Sequence, residues 1–305
     1  MNLILFEPGE LDRPLRTDDP RAVHIVTVLR RGLGESFDIG VIGGPRGKGW
    51  IVGVDGGALT LGYRFEPGVP PGSPAPVSLI VGLARPQTMR RILRDATTLG
   101  AGELLFAATE RGEASYGASS LWSSGEYRRH LVDGAAQAFV THLPAVRWFD
   151  SLGDCLAAIE RGTIKLALDN YEAALPLASW RPPPRREPPP EARLGEVASP
   201  PGHPGTGGAA VPAIDAPADA AASGPRAQAP SPAPDADSFA AAPLPTAAPR
   251  VYLAVGSERG WTERERDLLR ADDFLLVHLG TRVLRAEVAC VAGLTLVLAA
   301  LGLLQ

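Results

Sequence analysis

Val251-Tyr252-Leu253-Ala254-Val255-Gly256-Ser257-Glu258-Arg259-Gly260-Trp261-Thr262-Glu263 decides the reading of this chain. Five apolar residues end at a glycine turn, and a helix start follows. An apolar run without alternation suits a strand covered on both faces. Ligands of open α/β sheets collect beyond the carboxyl ends of such strands, where glycine lets backbone approach them closely. Thr262 with Glu265 three residues later has the pattern of a capping box, so the turn is equally an ordinary helix start. A second turn of this kind is Leu279-Gly280-Thr281-Arg282-Val283-Leu284-Arg285-Ala286-Glu287. It closes the next strand and opens the final helix. Ion pairing of Arg285 with Glu287 or Glu258 is its purely structural account. The two turns together are more specific than either, because they end neighbouring strand candidates.

Working outward, strands and helices alternate. Strands are predicted at residues 77–83, 103–107, 145–148, 164–168, 251–255 and 274–279. Helices are predicted at 88–99, 126–138, 151–159, 262–269 and 288–304. Such alternation implies an α/β domain with a largely parallel sheet. Residues 181–249 interrupt it with a Pro- and Ala-rich segment whose one aromatic residue is Phe239. That composition cannot bury enough apolar area to offset its ordering entropy. Its flanks read as strands of one sheet, so it is expected to be a disordered insertion, whose closure cost grows only logarithmically with length.

A second boundary falls at residues 67–76. Before it, short β-like runs at 35–39, 50–54 and 58–61 are separated by turn signals, which predicts a small β-barrel. A helix is expected to precede them, with Asp19-Pro20 at its start and Ala22, Ile25, Val28 and Leu29 at helical spacing. The domains are therefore expected at 1–72 and 73–305.

The net charge of −4 over 305 residues counts against a large nonspecific nucleic-acid binder. It leaves room for an enzyme reading one folded RNA through a local patch. Cys155 and Cys290 have no metal-like spacing, so no structural metal and no disulfide framework are expected. The five histidines, 24, 130, 142, 203 and 278, share no spacing and receive no catalytic role. Residues 1–10 lack a secretion-signal pattern. The apolar run 288–304 is short for a spanning helix; it is read as a buried or dimer-facing helix, not an anchor. A soluble cytoplasmic homodimer is expected, without membrane association.

The residues quoted so far resemble a known family. Gly256 to Gly260 and Leu279 to Glu287 resemble the GPEGG and LGPRILRTETA signatures of the bacterial small-subunit ribosomal RNA (uracil-N3) methyltransferases, of the trefoil-knotted (SPOUT) superfamily. Upstream, His24-Ile25-Val26-Thr27-Val28-Leu29-Arg30 with Gly34-Glu35 resembles the family's HxxxVLR…GD segment. Thr97-Thr98-Leu99-Gly100 resembles its TELG, Glu110-Arg111 its SER, and Ala135-Ala136-Gln137 before Leu143-Pro144 its AEQ…P. The match runs in order over the chain outside 181–249. Departures are Ser257, Arg259 and Thr281 in the turns, Ala286 and Val288 for threonines, Thr98 and Ala136 for acidic residues, and Val140 for an arginine. They bear on the target nucleotide more than on fold or cofactor.

The resemblance implies a trefoil-knotted α/β methyltransferase domain after a PUA-like β-barrel, acting on 16S ribosomal RNA or the small subunit. It implies S-adenosylmethionine as cofactor, held by three loops: the one after Leu168, the Gly256 turn and the turn at 279–284. Leu168, Val255, Gly256, Ser257, Glu258, Gly260, Leu279, Gly280, Val283, Leu284 and Ala289 are the expected cofactor-binding residues. Leu279, Val283 and Leu284 suit an adenine, and the glycines leave room for the methionine portion. Methyl transfer from a sulfonium requires no metal. Uracil N3 must lose a proton before it attacks, so a fixed cation beside O2 or O4 stabilises the anion. Arg285 is the first candidate and Arg282 the second; Glu287 either orients the arginine or accepts the proton. Arg30 in the barrel and Arg90, Arg91 and Arg94 are expected at the RNA, or else form a solvated surface. A noncatalytic RNA-binding protein of the same fold is the alternative. An oxidoreductase ranks low, because no GxGxxG follows the first α/β strand.

Overall fold

The computed structural model describes residues 3–67, 74–183 and 249–304. Most of the insertion expected at 181–249 therefore lies outside the described residues.

Residues 4–65 build a mixed five-stranded sheet. Its strands are β1 (Ile4–Phe6), β2 (Leu15–Arg16), β3 (Ser36–Val41), β4 (Arg46–Asp55) and β5 (Ala58–Phe65), in the order β1-β3-β4-β5-β2. β4 and β5 form a hairpin across Gly56 and Gly57, at φ +55° and +78°. A two-residue turn with positive φ at both positions matches the twist of the flanking strands, and glycine adopts it without strain. The helix expected near Asp19 is one short turn, α1 (Pro20–Val23), continuing into a wider π-type turn over His24–Val28. Asp19 caps it by accepting from Arg21 N at 2.8 Å. Arg21 also bridges to Glu10 at 2.6 Å and lies over the Phe6 ring, closing the small core around Ile25 and Ile39.

The rest of the chain forms a seven-stranded sheet in which every described pairing is parallel. Its strands are β6 (Val77–Gly82), β7 (Glu103–Ala107), β8 (Ala145–Phe149), β9 (Ile164–Leu168), β10 (Leu175–Pro176), β11 (Val251–Val255) and β12 (Leu275–His278). The order is β10-β12-β9-β11-β6-β7-β8. Thus β9 and β11, on either side of the Pro/Ala segment, are direct neighbours in register from Val251 opposite Ile164. The interleaved helices are α2 (Pro86–Thr98), α3 (Ser120–Ser123), α4 (Glu126–Ala138), α5 (Leu152–Ala157), α6 (Glu263–Ala271) and α7 (Ala286–Ala300).

Alternate strand residues feed two cores, as the pleat requires. Leu79, Val81, Phe106 and Leu253 pack with Met89, Leu131 and Leu294 of α2, α4 and α7 on one face. Ile80, Leu105, Tyr252 and Ala254 pack with Cys155, Trp261 and Leu269 on the other. Both cysteines are buried and unpaired. α2 and α4 approach so closely that a Cβ on Gly134 would fall 2.3 Å from the Arg94 carbonyl.

Several boundaries differ from the sequence expectation. α2 begins at Pro86 rather than Thr88, because proline's fixed φ suits a first helical turn. The final helix spans Ala286–Ala300 rather than 288–304. Its polar first-turn Glu287 favours the helix N-terminus, and Gly302 at φ +71° follows its end. No described helix is long and apolar enough to cross a membrane.

Candidate active site

Three carboxyl-edge loops meet at one end of the parallel sheet. They follow β9, β11 and β12, and enclose a cavity of about 300 Å³. All eleven residues expected at the cofactor, from Leu168 to Ala289, line it. The two glycine turns do not end neighbouring strands as expected: β9 lies between β11 and β12, and its own loop completes the cavity between the turns. Val255 and Gly256 are buried, whereas Val283 is exposed at the rim.

The lining also includes residues the sequence reading passed over: Asp169, Asn170, Tyr171, Arg259, Trp261, Thr281 and Ala286. Trp261 is the anchor. Its ring is buried, and Nε1 donates to the Leu168 carbonyl at 3.0 Å, tying the β11 turn to the end of β9. Asp169 folds the β9 loop by accepting from the backbone N–H of Tyr171 and Glu172 at 2.8 and 2.6 Å. Arg266 of α6 locks this arrangement from below, pairing with Glu172 at 2.6 Å and Asp169 at 3.7 Å and donating to the Trp261 carbonyl. Thr262 and Glu265 form the capping box read from the sequence. The third turn is braced by His278, whose ring accepts from Gly280 N at 3.0 Å.

Charges around the cavity are distributed in a way the sequence did not reveal. Glu258 lines it, yet its carboxylate accepts from Arg85 N at 3.1 Å and Thr88 Oγ1 at 3.2 Å. It thereby caps α2, whose N-cap Arg85 has no side-chain cap of its own. Glu287 is half-buried and accepts from Arg91 at 3.0 Å. The structural pairing considered for Arg285 with Glu258 or Glu287 is therefore absent, since both carboxylates are taken by α2. Arg282 and Arg285 are exposed and make no ion pair among the described residues. Neither they nor Glu287 line the cavity itself; they sit on the turn and first helical residues beside it.

Of the four arginines expected at RNA, the three on α2 each form an ion pair. Arg90 pairs with Glu126 at 2.8 Å, Arg91 with Glu287 and Arg94 with Asp95 at 3.0 Å. Arg30 is exposed between the π-type turn and β3, in a left-handed conformation, φ +53°. No cluster of three His, Cys, Asp or Glu placed to hold a metal occurs among the described residues.

The residues present fit S-adenosylmethionine. Leu168, Val255, Leu279, Leu284 and Ala289 give apolar walls for an adenine. A Cβ on Gly256 would fall 3.1 Å from Gly260, so glycine keeps the turn tight and the space open. Ser257 Oγ is buried without a partner and is available to a ligand.

A parallel sheet with three such loops at its carboxyl edge, set after a small mixed sheet, defines an α/β protein with a ligand site at that edge. The chain belongs to the RNA methyltransferase domain family, whose model matches residues 71–182 and 229–298. It is similar to the ribosomal RNA small subunit methyltransferase E of Treponema pallidum, at 29% identity over 314 residues, covering 98% of this chain and 91% of that protein. The fold is that of the Neisseria gonorrhoeae ribosomal RNA small subunit methyltransferase E solved with S-adenosylmethionine, at a TM-score of 0.61 and 17% identity, covering 97% of each chain. A putative methyltransferase from Legionella pneumophila, also solved with S-adenosylmethionine, superposes with a TM-score of 0.64 at 17% identity over 98% of each chain.

Proposed function

We propose that the protein transfers a methyl group from S-adenosylmethionine to small-subunit ribosomal RNA, at N3 of a uridine. The observation that carries this reading is the convergence of the loops after β9, β11 and β12 on one cavity, in a chain of the RNA methyltransferase family. When bound, the cofactor supplies an electrophilic methyl group on a sulfonium. Leu168, Leu279 and Leu284 hold its adenine, and the Gly256 and Gly280 turns shape the space for the rest.

The chain's own contribution is positioning and charge. Arg285 lies just beyond the cofactor turn with its guanidinium unpaired, so it keeps a full positive charge for the acceptor base. That charge stabilises the uracil anion formed when N3 gives up its proton. Arg91 has the complementary duty: by taking Glu287, it leaves Arg285 unneutralised. Arg282 supports the charge from the same turn, and Arg30 meets the RNA from the barrel.

The working unit in this reading is a cytoplasmic homodimer. α7 exposes Val288 at 46%, and Leu303 and Leu304 beyond it are also exposed; a second copy covers such a face most simply. The test is direct. The protein is incubated with S-adenosylmethionine and small ribosomal subunits from a strain lacking its gene, and the RNA is mapped by mass. One added methyl on a single uridine is expected. Cofactor binding by calorimetry without any methylation would instead identify a noncatalytic binder of the same fold.

A further inference from the structure

A second cavity, of about 460 Å³, opens on the same edge of the sheet beside the first. Its volume is within the roughly 300–1,000 Å³ typical of small-ligand sites. The loops after β6, β7 and β8 form it, and methyl transfer as derived above makes no use of it.

Unpartnered polar atoms gather around this cavity. Thr109 Oγ1, Ser119 Oγ and Trp122 Nε1 are all buried without a hydrogen-bond partner. Thr109 lines the cavity, Ser119 follows the lining residue Ala118, and Trp122 packs on the lining residue Trp148. Buried donors and acceptors are costly unless satisfied, so such a concentration calls for a bound group.

One wall is a fixed aromatic face. Trp148 is 37% exposed and meets Trp122 edge-on at 5.0 Å, and Trp122 in turn packs on Phe106. Gly117 permits this, since a Cβ there would fall 2.9 Å from the Trp148 ring. Charge narrows the ligand further. Two carboxylates line the cavity and no Lys or Arg does: Glu113 pairs with Arg259 at 3.7 Å, whereas the exposed Asp150 forms no ion pair among the described residues. A phosphate is repelled there, whereas a flat ring bearing N–H donors is welcomed. The loop over residues 108–119 is also anchored to the first site: Thr262 Oγ1 donates to Glu110 at 2.7 Å, and Arg111 donates to the Arg259 carbonyl at 3.1 Å. Only Gly82 separates Thr109 from Ser257: its Cβ would lie 2.8 Å from the Thr109 methyl and 2.6 Å from Ser257 N.

We infer that this second cavity receives an unpaired guanine from the RNA strand that carries the methyl acceptor. The inference rests on the proposed RNA methylation. Guanine presents N1–H and N2–H₂ side by side, matching the two oxygens of Asp150. Its face stacks on Trp148, the usual mode for splayed-out bases of single-stranded RNA. Uracil offers one N–H between two carbonyls, which the carboxylate repels. Thr109 Oγ1, able to donate or accept, serves the remaining polar edge.

The test titrates the full-length protein with guanosine and with uridine, following tryptophan fluorescence, and measures S-adenosylmethionine binding by calorimetry in the same samples. Saturable quenching by guanosine, lost in Trp148→Phe, is expected, with uridine much weaker. Asp150→Asn should weaken guanosine about tenfold and raise KM for unmodified ribosomal RNA to a similar degree, with a smaller effect on kcat. Absence of saturable guanosine binding, or uridine binding as tightly, overturns the inference. So does tighter binding of an arginine-rich peptide, which would make the cavity a protein-docking site. Failure of the functional reading shows separately, as absent cofactor binding, and leaves the guanosine titration decisive for the cavity.

Discussion

Gly82 is the position where one methyl group should disturb the site most. It ends β6 where the Gly256 turn crosses it. A Cβ there would stand 2.6 Å from Ser257 N, 2.8 Å from the Thr109 methyl and 3.1 Å from the Gly256 carbonyl carbon. Ordinary contact begins near 3.4 Å, so the turn must retreat by about 0.8 Å. It is poorly placed to do so. Val255 is registered against Val81, and Trp261 is bonded to the Leu168 carbonyl at 3.0 Å. Overpacking of this kind costs about 1–3 kcal/mol, of which the lost glycine entropy returns about 0.5–1. Gly82→Ala should therefore lower the melting temperature, by up to roughly 10 °C. A displacement near 1 Å at the cofactor turn should also slow turnover about 100-fold. Differential scanning calorimetry, cofactor titration and single-turnover methylation measure the three effects. Gly153→Ala is the control, because a Cβ there meets only Ser151 Oγ at 3.7 Å. A Gly82→Ala protein with wild-type melting, cofactor affinity and turnover would refute the reasoning.

Other perturbations separate chemistry from architecture. Arg285→Ala should cut single-turnover methylation on the order of 100- to 1,000-fold while sparing cofactor affinity and melting, since the side chain is exposed and unpaired; early melting with normal turnover would end the assignment. Trp261→Phe removes the bond to the Leu168 carbonyl and should cost about 1–2 kcal/mol, weakening cofactor binding more than a buried Trp→Phe change elsewhere; unchanged affinity in a titration argues against the anchor. The Arg90 guanidinium, with His130, holds the Glu126 carboxyl at about 2 rather than 4.5. A depressed carboxylate pKa stabilises above the unfolded value and is lost as pH falls through the folded one. Wild type should therefore exceed Glu126→Gln in stability above pH 4.5, and the gap should close toward pH 2 in acid-unfolding curves. Burial pushes the Cys155 thiol up to about 12 and the Cys290 thiol higher still, so a thiol reagent at pH 8 should label neither without denaturant; rapid labelling of the native protein contradicts this.

What could be read from the sequence was whatever is contiguous in it. β11 is an unbroken apolar run, β6 and β7 are apolar but for Ser78 and Glu103, and α4 falls on the residues its periodicity predicts, Glu126–Ala138. The two glycine turns carry most of the cofactor cavity in two short stretches, which is why they were recognisable. β1, β2 and β10, of two or three residues, are too short to show a period of two. Contacts across long separations left no local trace. Glu258 caps a helix 173 residues away, Arg91 meets Glu287 across 196, and Trp261 meets Leu168 across 93. The second cavity was hidden for the same reason, since Leu83, Thr109 and Trp148 come from three widely separated parts of the sequence.

The place of β11 has a bearing on how the protein is made. This strand lies in the middle of the sheet, between β6 and β9, yet it is the last but one of the strands to be synthesised. A nascent chain that has not reached residue 255 holds two apolar strands whose inner edges have nothing to pair with. Unpaired edges of that kind attract other chains, and pairings across such long separations form slowly. The barrel strands, all within residues 4–65, are complete long before. Translation should therefore leave the α/β part unfinished, and in need of chaperone shelter, until its central strand arrives.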